Sequence, residues 1–163
     1  MQYQILLLGE DHLLQIMDIE RGVFKYPWSV SQMKDSILSA HTETWGLFNL
    51  NRQLIAFTIV SVIFNEADIL NFSVAKPYQY KGFGQKLLSY LMNYLSCKKI
   101  EKLFLEVRMS NIPAISIYKK YGFEQIFTRK NYYRFENSQE DALVFQATLQ
   151  VSSLLHFKFL QPL

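Results

Sequence analysis

The sequence predicts a single α/β domain in which a mixed, mostly antiparallel central sheet is flanked by helices. A length of 163 residues suits one domain with a substantial core. Three strand-like segments between residues 44 and 75 follow one another through short turns, which is typical of an antiparallel meander. A strand–helix–strand unit comes next and predicts that part of the sheet is parallel. We expect the domain to span residues 1–150 and leave the apolar tail, 151–163, without an assigned role.

Two helices are expected before the first strand of this meander. Residues 10–19 place apolar side chains at helical spacing. Pro27 and Trp28 interrupt this pattern. Ser29 and Gln32 then have the spacing of a capping box, which predicts a second helix ending near Ser39.

The meander consists of three segments at residues 44–50, 54–64 and 69–75. The middle segment, "LIAFTIVSVIF", is rich in β-branched and aromatic residues, which are enriched in strands. Polar turns at Asn51–Arg52 and Asn65–Asp68 separate the segments.

Residues 78–95, "YQYKGFGQKLLSYLMNYL", place two glycines just before a helix that is expected to begin near Gly84. The apolar residues of this helix lie on one face. Glycines let a backbone turn or approach a ligand closely, and a helix start presents unpaired N–H groups. Gly82 and Gly84 therefore indicate either an anion site, most often for phosphate, or a plain loop, and these residues alone do not separate the two.

The segment at 102–108, "KLFLEVR", predicts a strand with alternating faces. Leu103, Leu105 and Val107 point one way, and Phe104, Glu106 and Arg108 point the other.

A further helix and two strands complete the predicted domain. Asn111 can cap the helix, Pro113 suits its first turn, and Gly122 ends it. The strands are expected at 124–133 and 142–149, on either side of a polar turn from Glu136 to Asp141.

Charge, cysteine content and apolar segments limit the classes of protein to which the chain can belong. A net charge of +3 that forms no blocks is weak evidence for nucleic-acid binding, so we expect no direct contact with nucleic acid. The single cysteine, Cys97, excludes an internal disulfide, and no segment reaches the roughly 20 apolar residues that span a bilayer. One cysteine and three scattered histidines do not form a zinc motif. We therefore expect a cytoplasmic protein with no membrane segment and no metal.

Several motifs together carry a family resemblance. The loop from Gln79 to Gly84 matches the pattern Q/R-x-x-G-x-G/A of the Gcn5-related N-acetyltransferases. The segments "PWS", "LEVR", "AISIYKKYGF", "KNYY" and "EDAL" resemble the bacterial ribosomal-protein-alanine N-acetyltransferases within that family. The resemblance extends from about Pro27 to Phe145.

This resemblance implies acetyl-CoA as the co-substrate. The strand residues Phe72, Ser73 and Val74 fall where the family binds pantetheine. The loop that would hold the pyrophosphate consists of Tyr80, Lys81, Gly82, Phe83, Gly84 and Gln85, and Asn111 matches a further cofactor contact. The sequence departs from the family at Tyr80, often arginine in relatives, and in the displaced proline of Ala75-Lys76-Pro77.

The same resemblance implies two catalytic residues. Glu106 matches the proposed general base, which would take a proton from the amine. Tyr118 matches the proposed general acid, which would protonate the leaving thiolate. Without this resemblance, the sequence is compatible with Glu106 on a solvent-exposed sheet face or paired with Arg108, and with Tyr118 as a core residue. We expect backbone N–H groups of residues 72–74 to stabilise the oxyanion and amine attack to be direct, without an acyl group on Cys97.

The expected acceptor is the N-terminal alanine of a small-subunit ribosomal protein, again by resemblance. Asn131, Tyr132 and Tyr133 match the loop that lines the acceptor groove, although the two tyrosines also fit strand residues packed on the sheet. Tyr26 and Trp28 form either the opposite wall or a packing cluster. Two alternatives stay open: acetylation of another amine (lysine, a small molecule or aminoacyl-tRNA), and a non-catalytic CoA-binding module.

Overall fold

The structure is a computed structural model that describes residues 2–135 and 138–150. Its described residues form one sheet with the strand order β1-β2-β3-β4-β5-β7-β6. β4 and β5 pair in parallel, and the other neighbours pair antiparallel. The mixed, mostly antiparallel sheet predicted from the sequence is confirmed. The strands are β1 (Gln4–Leu7), β2 (Thr42–Phe48), β3 (Leu54–Ile63), β4 (Glu66–Val74), β5 (Lys102–Arg108), β6 (Glu124–Phe135) and β7 (Ser138–Thr148).

Helices cover both faces of the sheet and divide the core into two layers. The helices are α1 (Leu13–Val23), α2 (Val30–Leu38), α3 (Phe83–Cys97) and α4 (Ile112–Lys120). α1 and α2 pack on one face, where Ile16, Met17 and Met33 meet Phe57 and Ile59 of β3. The apolar stripe of α3, Leu87, Leu88, Leu91 and Leu95, packs on the other face together with α4.

The capping residues behave as predicted. The hydroxyl of Ser29 accepts the N–H of Gln32, whose side chain accepts the N–H of Ser29, so the capping box that begins α2 is confirmed. Asn111 accepts the N–H of Ala114 at the start of α4. Gly122 follows α4 with φ of +82°, a conformation in which glycine carries no steric penalty.

The N-terminal region differs from the prediction. A 3₁₀ turn occupies Glu10–His12, and α1 continues to Val23, past the expected end at residue 19. The helix extends because Ile19 and Val23 continue the apolar contact with the core under α1. The sequence analysis also missed β1, a four-residue strand at the sheet edge whose position depends on its pairing with β2.

The C-terminal hairpin is longer than predicted. Residues 138–141 belong to β7, so the expected polar turn from Glu136 to Asp141 was wrong. The reason is that Glu140 pairs with Tyr133 across the ladder, and polar residues are compatible with an exposed strand pair. The described residues do not include 136 and 137 or the tail 151–163. The expected boundary between the domain and the tail, after residue 150, therefore stays a prediction.

Candidate active site

A gap in the sheet between β4 and β5 forms the site. These parallel strands pair from Glu66 with Lys102 as far as Ile69 with Leu105. Beyond that point β4 continues along β3, and β5 continues along β7, without pairing with each other. Strand ends that separate leave backbone groups facing the gap, where a ligand can bind them.

A β-bulge in β4 marks the point where the gap opens. Ile69 pairs with Val60 and Asn71 pairs with Ile59, so Leu70 is an extra residue in β4. A bulge of this kind reverses the alternation of the faces. As a result, Asn71 and Ser73 face α1, and Phe72 and Val74 face the core layer of α3.

Two cavities meet in this gap. The cavity that we call the α3 cavity, of about 460 Å³, lies between β4, the start of α3 and α4. The cavity that we call the β6 cavity, of about 430 Å³, lies between α1, β4, β5 and β6. Phe24, Phe72, Asn111 and Tyr118 line both cavities. A ligand in one cavity can therefore reach a ligand in the other.

The α3 cavity faces the start of a helix. Gly82 precedes α3 with φ of +82°, and no side chain caps the helix there. Lys86 donates the first helical hydrogen bond, to the carbonyl of Gly82, so the N–H groups of the preceding turn have no helical partner. Such a turn carries partial positive charge and suits a phosphate group.

Gly84 lets α3 approach β4 closely. A Cβ at this position would lie 3.3 Å from Cγ2 of Val74 and 3.7 Å from Cε1 of Phe72. The second glycine of the motif therefore lets the start of α3 pack directly against β4, the strand along which a cofactor arm is expected to bind.

Most of the predicted cofactor residues line the α3 cavity. They are Phe72, Ser73, Val74, Tyr80, Gly82, Gly84, Gln85 and Asn111. Two others do not: Phe83 is buried in the core, and the ammonium of Lys81 donates to the carbonyl of Pro77, 2.8 Å away. Gln79, the first residue of the motif, donates its amide to the carbonyl of Val74 over 2.9 Å and holds the loop against β4.

Glu106 lies in the β6 cavity, where two residues of β6 contact it. Its Oε1 atom lies 2.8 Å from Nε of Arg129. The charge of Glu106 and a hydrogen bond to it raise the pKa of Tyr132. The sequence suggested Arg108 as a possible partner, but Arg108 pairs with Glu140 at 3.7 Å. A second carboxyl group, Asp68, lies near Glu106. Burial raises the pKa of Asp68, and the charge of Glu106 raises it further.

Tyr118 occupies the junction of the two cavities. Its side chain is only 8% exposed and packs against Phe123, so it is also a core residue. Burial raises the pKa of the Tyr118 hydroxyl above its ordinary value, with a smaller contribution from Tyr133. The hydroxyl therefore stays protonated at neutral pH.

An irregular segment of β6 brings the acceptor-loop residues to the site. Asn131 has φ of +53°, and its N–H donates to Oδ1 of Asp141 over 2.8 Å. Tyr132 and Tyr133 line the β6 cavity, but Asn131 does not. Asn131 therefore shapes the segment instead of forming the wall.

The loop between α1 and α2 forms the facing wall. Tyr26 and Trp28 both line the β6 cavity, and Trp28 also packs against the core under α1. The packing interpretation of Trp28 is therefore confirmed, and its role as a wall for an acceptor stays a prediction.

The side chains that the sequence analysis missed include Glu20, which lines the β6 cavity, and Asp68 and Arg129, which interact with Glu106. Glu20 fell just beyond the predicted end of the first helix. Had that helix been extended, the lone acidic residue on its apolar stripe would have been a usable signal. Asp68 and Arg129 reach Glu106 only through strand pairing, which leaves no local pattern.

Two other kinds of site are absent from the described residues. None of the helices there has the length and apolar character needed to cross a membrane. In the same part of the chain, no three His, Cys, Asp or Glu residues come together as a metal site would require.

Comparisons with known proteins point to one family. Residues 13–123 match the model of the acetyltransferase (GNAT) family. The ribosomal protein bS18-alanine N-acetyltransferase of Escherichia coli strain K12 is 35% identical over 128 residues, which cover 77% of this chain and 84% of that relative.

Solved structures show the same fold. The crystal structure of the ribosomal-protein-S18-alanine N-acetyltransferase from Escherichia coli has a TM-score of 0.87 at 30% identity, covering 96% of this chain and all of that one. Arabidopsis thaliana NAA60 in complex with acetyl-CoA has a TM-score of 0.79 at 16% identity, covering 91% of this chain and 99% of that one. At that identity the second likeness concerns the fold alone.

Proposed function

The chain belongs to the GNAT acetyltransferase family, and we propose that it acetylates the N-terminal alanine of a small-subunit ribosomal protein, using acetyl-CoA. The observation that carries this proposal is the meeting of two cavities at Tyr118, one facing a helix start and the other holding Glu106. The similarity to the ribosomal protein bS18-alanine N-acetyltransferase of Escherichia coli supports the choice of acceptor. We also propose a cytoplasmic location, since ribosomal proteins are synthesised there.

In this proposal acetyl-CoA binds in the α3 cavity. The free N–H groups at the start of α3 would hold the pyrophosphate, because Gly82 and Gly84 keep side chains away from it. These donors belong to the backbone, so an arginine in place of Tyr80 is not required. Phe72, Ser73 and Val74 would bind the pantetheine arm along the open side of β4. This path directs the thioester toward the gap, and the N–H groups there would stabilise the oxyanion.

Glu106 is the proposed general base. An α-amino group has a pKa of roughly 7.7–8.0, so it must lose a proton before attack at neutral pH. Glu106 would take that proton directly or through a water molecule. Its position in the β6 cavity supports this role. The ion pair with Arg129 and the hydrogen bond from Tyr132 orient the carboxylate while the acceptor is absent.

Tyr118 is the proposed general acid. The amine forms a C–N bond with the acetyl carbon, and the C–S bond then breaks with its electron pair on sulfur. Tyr118 would donate its proton to that sulfur, and its place at the junction of the cavities supports the assignment. The nitrogen of the intermediate would lose its second proton to water, Glu106 would release its proton to solvent, and the Tyr118 phenolate would regain one proton. The products are therefore the acetylated amine, CoA and one proton.

The acceptor peptide would enter through the β6 cavity. Tyr132 and Tyr133 would form one side of its path, shaped by the Asn131 segment, and Tyr26 and Trp28 would form the other. A chain terminus fits this arrangement because the reacting amine must reach the gap where the two cavities meet.

Mass spectrometry of acceptor peptides tests the proposal. The full chain is incubated with acetyl-CoA and a ribosomal-protein N-terminal peptide that begins with Ala and contains one internal Lys. The matched control is the same peptide with its α-amine already blocked. We expect one acetyl group on the open peptide, at the α-amine, and none on the control. Acetylation of the blocked peptide, or reaction only with polyamines or aminoacyl-tRNA, would replace the proposed acceptor with another amine. Binding of CoA with no acetylation of any amine would favour the non-catalytic alternative.

A further inference from the structure

Glu20 is a buried acidic residue with no part in the chemistry proposed above. It lies on α1, is only 1% exposed, and lines the β6 cavity. Burying a carboxylate is costly unless hydrogen bonds compensate for the lost water. The two oxygens of Glu20 each have such a partner, and the two partners belong to different elements that line the cavity, the loop between α1 and α2 and strand β4.

The first partner is the loop between α1 and α2. The backbone N–H of Trp28 donates to Oε1 of Glu20 over 3.0 Å. This bond fixes the loop at Trp28, a residue of the facing wall that directly precedes the cap of α2.

The second partner is the bulge in β4. Nδ2 of Asn71 donates to Oε2 of Glu20 over 3.0 Å, and Oδ1 of Asn71 accepts the hydroxyl of Ser73 over 3.2 Å. The backbone carbonyl of Asn71 accepts the hydroxyl of Thr58 over 3.0 Å. Asn71 faces α1 only because Leu70 bulges, so Glu20 binds the face that the bulge creates.

We propose that Glu20 and Asn71 act as a positioning pair that holds the loop between α1 and α2, with Tyr26 and Trp28, in a fixed position relative to β4, and thereby sets the approach of the peptide to the gap. Neither residue is catalytic. The inference rests on the proposed function, because it assumes that a peptide occupies the β6 cavity. It adds a determinant of acceptor use that lies outside the groove residues and the acid–base pair.

An exchange of the two side-chain types tests the pair. Asn71→Asp alone brings two carboxyl groups together and removes the donor to Glu20. Adding Glu20→Gln restores the pattern: the Gln amide donates to Asp, the Gln carbonyl accepts the Trp28 N–H, and Asp accepts the Ser73 hydroxyl. The control is Glu43→Gln, the same change at a carboxylate that pairs with Lys98 at 2.6 Å and lines neither cavity.

We expect Asn71→Asp to lower kcat/KM for the Ala-peptide by about tenfold, mainly through KM, which corresponds to one lost hydrogen bond to a charged group. Calorimetric affinity for acetyl-CoA should change less than about twofold, because the helix start that holds phosphate is untouched. The double variant should recover most of the peptide kcat/KM, and Glu43→Gln should leave it unchanged.

Three results would overturn the inference: full peptide activity in Asn71→Asp, an equal loss of acetyl-CoA affinity, or a double variant no better than the single one. If Asn71→Asp does not fold, Asn71→Ala replaces it as the single variant, with the same expected split between peptide and acetyl-CoA. A wild-type chain that acetylates no peptide refutes the proposed function instead, so the two failures are distinguishable.

Discussion

The proposed role of Tyr118 can be tested by removing one oxygen atom. In Tyr118→Phe the ring remains and continues to pack against Phe123, whose centroid lies 5.6 Å away. Because the volume is conserved, we expect the free energy of unfolding to change by no more than about 1 kcal/mol. The variant therefore isolates the hydroxyl from the packing role of the same side chain.

The expected effect is on turnover. A positioned general acid contributes about 10²–10⁴-fold, which equals about 2.7–5.5 kcal/mol of transition-state stabilisation. Burial raises the pKa of Tyr118, so the wild-type hydroxyl is protonated throughout the assay range and its loss is felt at every pH there. We expect kcat to fall about a hundredfold or more, while affinity for acetyl-CoA changes little.

The assay measures release of the CoA thiol under saturating peptide, and calorimetry measures binding of acetyl-CoA. Tyr94→Phe is the matched control, because Tyr94 also lies on a helix, bonds through its hydroxyl to Lys98 and Glu43, and lines neither cavity. If Tyr118→Phe turns over within about threefold of this control, the hydroxyl supplies none of the general-acid contribution and the assignment fails.

Three further predictions concern the base, the acceptor wall and the core. Glu106→Gln should lower kcat by about 10²-fold or more in the same thiol assay with acetyl-CoA affinity retained, and normal turnover would remove Glu106 from the mechanism. Asp141→Ala should raise KM for the peptide but not for acetyl-CoA, because Asp141 holds the Asn131 N–H; equal changes in both constants would contradict this. The buried Thr44 hydroxyl has no hydrogen-bond partner in the described residues. Thr44→Val should therefore raise the free energy of unfolding by about 1 kcal/mol and Tm by about 2–4 °C in thermal unfolding. A lower Tm would show that the hydroxyl has a partner.

The parts of the site that could be predicted are those encoded in adjacent residues. The glycine loop is one example, because a left-handed residue before a helix leaves a local signature at Gly82. The caps at Ser29 and Asn111 are others, since each bonds to an N–H three residues along the chain. The alternation of Leu103, Leu105 and Val107 is a fourth, because side chains of one strand face opposite sides without reference to other strands.

The parts that could not be predicted depend on pairing between distant segments. Arg129 and Glu106 are 23 positions apart and meet because β6 and β5 both pair with β7. Glu20 and Asn71 are 51 positions apart and meet across a helix–sheet interface. Neither contact changes the local pattern of apolar residues, so the sequence gives equal weight to many other partners.

Strand irregularities explain why the site differs from what regular alternation predicts. Ala67 and Ile69 face the α3 layer, and unbroken alternation would send Asn71 there too, away from Glu20. In β6, Arg129 pairs with Ala142 and Tyr133 with Glu140, so residues 130–132 stand opposite the single residue Asp141. Regular alternation would put Tyr132 on the face opposite to Arg129, yet both contact Glu106. The two bulges thus bring Asn71 to Glu20 and Tyr132 to Glu106, and a variant that restores regular pairing at either bulge should keep the fold and raise KM for the acceptor peptide.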